Sequence, residues 1–203
     1  MVTGTPGTGK TMASRILSEK LGCLHIELSK LSRNEKFIDK YDYERDTWIV
    51  NLKGIERYLK NLSSKVNQPY ILIDGHLAHL VSPKDDTEIV FILRCHPEEL
   101  EKRLRGRGYP DKKVSENILS ELLDTVLLET LERFSEEAVC ELDTTGRDVM
   151  EVVDEMLSII DGKKKRCLGD IDWIATLSNS EGIRDLLRRI EGGDDGLHHP
   201  RLR

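Results

Sequence analysis

The 203-residue sequence is marked first by what it lacks. No apolar run approaches the ~20 residues that a membrane-spanning helix needs. A glycine-rich motif that begins at residue 4 leaves no room for a secretory leader, so the cytoplasm is the expected compartment and no membrane partner is expected. Four cysteines, Cys23, Cys95, Cys140 and Cys167, lie far apart without a Cys-x-x-Cys pair. That excludes the usual zinc and disulfide frameworks and predicts reduced, mostly buried thiols. A basic excess is missing too, because Lys+Arg 31 against Asp+Glu 37 leaves a formal net charge of −6. No global positive field is available to hold nucleic acid or an anionic surface, and any RNA contact would have to be local, for instance at the basic run Lys163 to Arg166. What remains is a length suited to one globular domain with an appended tail.

What is present is concentrated at the start. Gly4-x-x-x-x-Gly9-Lys10-Thr11 has the spacing of a phosphate-binding P-loop, with strand-like Val2-Thr3 before it and a helical pattern after it. The glycines let the backbone turn tightly and aim N–H groups at a phosphate. Lys10 reaches the β- and γ-phosphates, and the Thr11 hydroxyl is a ligand for Mg²⁺. The N-terminus of the following helix also favours an anion. Only three residues stand before Gly4, whereas a strand feeding such a loop usually has about five or six. The first strand is therefore expected to be cut short, with the encoded start a few apolar residues upstream.

Further along, Met12, Ile16, Leu17 and Leu21 fall on one helical face that Gly22 closes, and Cys23 to Leu28 reads as a short strand. Asn34 to Asp46 is polar and charged and reads as a solvated loop or a mobile insert. Leu52, Ile55, Leu59 and Leu62 mark an amphipathic helix. Tyr70-Ile-Leu-Ile73 is a buried strand that ends in Asp74-Gly75-His76, and an aspartate at the carboxyl end of an apolar strand is what holds Mg²⁺ beside a P-loop threonine. A metal cluster of Asp74, His76 and His79 matches no zinc spacing. Glu88 to Leu93 is another apolar strand, and the helix begun by His96-Pro97 stacks Arg103 and Arg107 four residues apart, where both can face one anionic ligand. Arg105 to Pro110 breaks that helix into a short basic hinge. Val114 to Phe134 reads as one long helix, Ala138 to Leu142 as a fifth strand, and Val149 to Ile160 as a last core helix. Trp173 is expected to dock on the body, Ser180 to Ile190 to form a short helix, and Gly192 to Arg203 to be disordered.

With these pieces in place, the chain resembles the adenylate kinase isoenzyme 6 family of archaea and eukaryotes, also described as ribosome-assembly ATPases. The likeness covers about residues 1–160. It is carried by Thr3 to Thr11, Tyr41-Asp42-Tyr43, Asp74-x-His76, and Leu104-x-x-Arg107-Gly108-Tyr109 with Lys112-Lys113 and Asn117-Ile118. The resemblance implies an α/β P-loop NTPase fold with a five-stranded parallel sheet in the order 2-3-1-4-5, flanked by helices. It implies a domain over 1–161 with a nucleoside-monophosphate-binding region at about 28–51 and a short lid at about 106–116, followed by an extension over 162–203. By the same resemblance, ATP is held by Gly7, Thr8, Gly9, Lys10, Thr11, Met12 and Arg107, although the family often has a second Thr or Ser at the position of Met12. Lys10, Asp74, His76 and Arg103 are the implied catalytic set, Thr11 and Asp74 the Mg²⁺ ligands, and Arg33, Tyr41 and Asp42 the acceptor site. The implied reaction is phosphoryl transfer from ATP to AMP or another nucleoside monophosphate, with a slower ATPase and a small-subunit ribosomal protein and rRNA as partners. The rival reading is an assembly factor switched by hydrolysis, its kinase activity incidental. A regulatory GTPase is disfavoured because the chain has no Asn-Lys-x-Asp element.

Overall fold

A computed structural model describes residues 1–33, 35–43, 47–178 and 188. The chain opens with β1 (Val2–Thr3), the P-loop and α1 (Lys10–Leu21), then β2 (Leu24–Glu27) and the one-turn α2 (Leu28–Leu31). A hairpin of β3 (Ile38–Asp42) and β4 (Thr47–Val50) leads into α3 (Leu52–Ser63), β5 (Ile71–Asp74), α4 (Ala78–Val81) and β6 (Val90–Arg94). Next come α5 (Pro97–Gly106), α6 (Asp111–Leu122), α7 (Thr125–Leu131), β7 (Val139–Asp143), α8 (Val149–Ile160) and α9 (Trp173–Ser178).

Five strands make one sheet in the order β2-β5-β1-β6-β7, every neighbouring pair parallel. Leaving the hairpin aside, this is the order 2-3-1-4-5 expected for a P-loop fold. The unbroken apolar runs of β5 and β6 fit strands buried on both faces. In β6, Phe91 and Leu93 point to the cluster formed with α1 and α8, while Val90 and Ile92 point to the opposite cluster with Phe134 and Val139. That alternation is the period of two that a strand imposes. The central strand β1 is only two residues long, yet Val2 is fully buried between Asp74 of β5 and Phe91 of β6. Helix ends follow the sequence cues: Gly22 adopts a left-handed φ of 60° and returns its N–H to α1, and Pro97 occupies the first turn of α5.

Three expectations change. The stretch read as a solvated loop pairs as an antiparallel hairpin, Tyr41 opposite Trp48 and Asp42 opposite Thr47. The signal was the β-branched and aromatic run Thr47-Trp-Ile-Val50, which supplies the partner strand. The helix read over 114–134 is two helices. Asp124 sits at φ 52°, a left-handed conformation that a short polar side chain tolerates, and its carboxylate is bonded by Arg94. Among the four free thiols only Cys95 and Cys140 are buried, with Cys23 and Cys167 half-buried.

The tail returns to the body. Trp173 is 6 % exposed and packs with Leu100, Leu104, Ile118 and Leu122, as its expected docking requires. Lys164 pairs with Glu155 and Arg166 bonds the Glu137 carbonyl, so two members of the basic run are tied to the surface. The stretches 180–187 and 192–203 lie outside the described residues.

Candidate functional site

The sheet's order puts the loop after β1 between the carboxyl ends of β5 and β6, where ligands of such folds bind. A cleft of about 580 Å³ opens there. It is lined by Gly7, Thr8, Gly9, Lys10, Thr11 and Met12 from the P-loop and α1, Asp74 and His76 from the end of β5, and Arg103 and Arg107 from α5 and the turn after it. Ten of the thirteen residues singled out from sequence thus share one cleft. The described lining does not include Arg33, exposed in the turn after α2, or Tyr41 and Asp42 on the hairpin.

The loop is shaped by close approach. Gly4 has φ 136°, and a Cβ on it would stand 2.3 Å from the Leu93 carbonyl oxygen, while one on Gly7 would stand 2.7 Å from Leu100 Cδ1. Only glycine lets the loop lie this low against β6 and α5. Lys10 is buried, and its ammonium donates to the Thr5 carbonyl at 2.8 Å. Burial lowers its pKa to about 8, partly offset by Asp74 and Glu121 and reinforced by Arg107.

At the end of β5, the Thr11 hydroxyl donates to Asp74 Oδ2 at 2.8 Å, and His25 Nε2 lies 2.7 Å from Asp74 Oδ1. A hydroxyl and a carboxylate side by side beneath a phosphate-binding loop are hard oxygen donors, which fits Mg²⁺ held with few protein ligands and the phosphates themselves. His76 is open to solvent yet recessed in the cleft. The recess, with Lys10 and His79 adding positive charge, lowers its pKa to about 4. It is neutral at physiological pH and available as a hydrogen-bonding group. His79 is turned away, its ring between Thr3 Oγ1 and Glu129 Oε2, each at 2.9 Å. Asp74 and His79 therefore do not converge on one metal.

Arg103 is braced rather than mobile: its guanidinium donates to Glu99 at 3.1 Å and to the Thr144 carbonyl at 3.0 Å. Thr144 also donates to the Thr8 carbonyl at 3.1 Å, tying the arginine to the P-loop. Sequence reasoning overlooked Thr144, His25 and the lining residue Arg147. For His25 a signal existed, since alternation along β2 puts it on the same face as Glu27, which also lines the cleft.

A strand, a glycine-cradled anion site with a buried lysine, a hydroxyl–carboxylate pair and two arginines on one cleft define a P-loop kinase fold. Solved structures of that fold superpose on it. Shikimate kinase from Acinetobacter baumannii matches with a TM-score of 0.57 at 20% identity over 80% of this chain and 92% of that one. Thymidylate kinase from Candida albicans matches with 0.52 at 17% identity over 84% and 94%. A family described as an AAA domain matches residues 1–124. Curated relatives named "Putative adenylate kinase" align over most of the chain. That of Methanocaldococcus jannaschii is 38% identical over 172 residues, 85% of this chain and 90% of the relative, and that of Thermococcus onnurineus 36% over 194, 96% and 98%. The chain belongs to the same family as these archaeal proteins.

Proposed function

We propose that the protein is a nucleoside monophosphate kinase of the adenylate kinase type, moving the terminal phosphoryl group of ATP to AMP, with ATP hydrolysis as a side reaction. The observation that carries this reading is the convergence of Lys10, Arg103 and Arg107 with the Thr11–Asp74 pair on one cleft. Phosphoryl transfer asks a protein mainly to align donor and acceptor and to neutralise the charge spreading over the moving group. The P-loop N–H groups and Lys10 hold the donor phosphates. Arg103, fixed by Glu99 and Thr144, presents its charge without having to be ordered first. Thr11 and Asp74 are the residues that would hold Mg²⁺, which when bound neutralises phosphate charge. His25 orients Asp74 from behind.

The acceptor is assigned to the region at about 28–51 with Arg33, Tyr41 and Asp42, and the lid to about 106–116 within a catalytic domain over 1–161. The part of that lid before α6 is the turn Arg107–Pro110, whose Arg107 and Tyr109 line the cleft, and it runs straight into the helix. So short a cover excludes water incompletely, which is the reason for the hydrolytic side reaction. A role in small ribosomal subunit maturation, with a ribosomal protein and rRNA as partners, rests on the family resemblance and extends the proposal. A cytoplasmic location fits the nucleotide pool that the reaction uses. None of the described helices is long and apolar enough to cross a membrane.

The test measures ADP formed from ATP with and without AMP, CMP and other monophosphates. Strong stimulation by AMP is expected. No stimulation by any of them would refute the kinase and leave an ATPase.

A further inference from the structure

The P-loop lysine is held from behind by a chain of buried hydrogen bonds that ends in the C-terminal tail. Lys10 Nζ donates to the carbonyl of Thr5 at 2.8 Å, and the hydroxyl of Thr5 donates to Glu121 Oε2 on α6 at 2.5 Å. Glu121 is 2 % exposed, and its other oxygen accepts from Arg94 Nε at 2.7 Å, Trp173 Nε1 at 3.0 Å and the Cys95 N–H at 3.1 Å. Arg94 also bonds Glu141 and Asp124. Glu141 in turn holds the tail, accepting from the Gly169 N–H at 2.8 Å while its own N–H donates to the Cys167 carbonyl at 2.8 Å.

The charges make this arrangement demanding. Two buried carboxylates, Glu121 and Glu141, share one buried guanidinium, that of Arg94. Their remaining lone pairs are satisfied by neutral donors, among them the Thr5 hydroxyl and the Trp173 indole. A buried carboxylate that loses such a donor is left under-solvated and must find another partner. A second, apolar route runs in parallel. The Trp173 ring belongs to the cluster containing Leu100 and Leu104, the side chains on which the P-loop backbone rests at Gly7. The His96 ring meets the same indole in a T-shaped contact at a centroid distance of 5.4 Å.

We propose that Trp173, acting through Glu121 and Thr5, is a positioning residue of the nucleotide site, so that the docked tail holds Lys10 and the P-loop in phosphate-binding geometry. This rests on the kinase reading of the cleft. Glu121 fixes where the Thr5 peptide sits, and that peptide sets the direction of the Lys10 ammonium. The tail is thereby part of the catalytic apparatus without touching substrate.

The test is a double-mutant cycle on the full chain. Trp173→Phe keeps an apolar ring and removes the N–H, and Thr5→Val removes the hydroxyl at nearly constant shape. Each is expected to lower kcat for phosphoryl transfer, Trp173→Phe by about fivefold and Thr5→Val by roughly twentyfold, with the acceptor KM little changed. Because they act through one chain, the double variant should lose no more than Thr5→Val alone, and Thr5→Ser should restore most of the rate. A wild-type kcat in Trp173→Phe, or losses that multiply in the double variant, would overturn the proposal. A second measurement needs no altered Trp173. In Trp48→Phe protein the only remaining indole is Trp173, and titration with Mg²⁺-free ATP should change its emission with the half-saturation that calorimetry gives for binding. Binding seen by calorimetry with unchanged emission would also overturn it. The emission change in Trp48→Phe protein, together with wild-type protein that phosphorylates no monophosphate, would refute the kinase reading and spare the link between tail and P-loop.

Discussion

The buried ammonium of Lys10 should take up a proton when nucleotide binds. The residue is 8 % exposed. Removal from water lowers its pKa to about 8, with Asp74 and Glu121 pulling upward and Arg107 downward. At pH 8, about half of the nucleotide-free molecules therefore carry a neutral amine, at pH 9 about nine-tenths, and at pH 7 about a tenth. A polyphosphate beside the amine restores the charged form, because an opposite charge within a few ångströms favours it. Binding of Mg²⁺-free ATP should accordingly absorb about half a proton at pH 8 and close to one at pH 9, with little uptake at pH 7. ATP itself is fully ionised at pH 8 and above, so the proton belongs to the protein. Calorimetry in Tris and in Bicine, which differ in ionisation enthalpy, measures the number directly. Lys10→Arg stays charged throughout and should show no uptake. The same shift has a sign for stability without nucleotide. Below pH 8, folded and unfolded chains both hold the proton and the fold bears a penalty on the order of 3 kcal/mol; as pH rises from 8 to 10.5 the unfolded chain binds more protons, and this contribution relaxes. Absence of uptake at pH 8 and 9, or equal uptake in Lys10→Arg, would refute the reasoning.

Three further outcomes follow from the geometry. Asp74→Asn keeps the shape at the end of β5 and removes the carboxylate that Thr11 and His25 address, so transfer with Mg²⁺ should fall at least ~100-fold while the Kd for Mg²⁺-free ATP holds or tightens; equal losses in both assays would contradict the metal assignment. Gly4→Ala pushes a methyl group against the Leu93 carbonyl at a left-handed φ, and thermal unfolding should show a loss above about 2 kcal/mol, or about 5 °C in Tm, whereas an unchanged Tm would mean that β6 yields. Cys95 is fully buried and its thiol is pushed up to about 11, chiefly by burial, so iodoacetamide at pH 8 should alkylate half-buried Cys167 while leaving Cys95 unmodified until urea unfolds the chain; prompt labelling of Cys95 in mass spectrometry would count against the packing around Trp173.

What the sequence disclosed and what it hid separate by the range of the contact. The P-loop is read from eight adjacent residues because its chemistry is local: glycine dihedrals, a lysine and a hydroxyl at fixed steps along one turn. The order of the sheet is nearly as open, since β5 and β6 announce themselves as apolar runs and parallel strands need helical crossovers. Asp74 is found by its place at the end of such a run. The hairpin was hidden because β3 carries Asp39 and Lys40 on an exposed edge, so its polarity imitates a loop. The break at Asp124 was hidden because no glycine or proline marks it, and its left-handed turn is held by an arginine thirty residues away.

The Glu121 hub lies between these cases. Val114, Ile118 and Leu122 set the buried stripe of α6, and Glu121 falls on that stripe three residues after Ile118, just as Arg94 ends a strand that is otherwise apolar. Each charge breaks its pattern, and a charge that does so needs a partner in the fold. The sequence thus contains the anomaly twice without naming the pair, because Arg94 and Glu121 are 27 residues apart and Thr5 a further 89 from Arg94. Only the fold, by placing β6 next to β1 and bringing Glu121 of α6 within hydrogen-bond reach of Arg94 and Thr5, brings the two charges together beside the P-loop. A charged residue on an apolar stripe, read together with a tryptophan in the tail, is the sequence signature of this coupling. The double-mutant cycle at Thr5 and Trp173 asks whether that signature belongs to the chemistry or to the fold alone.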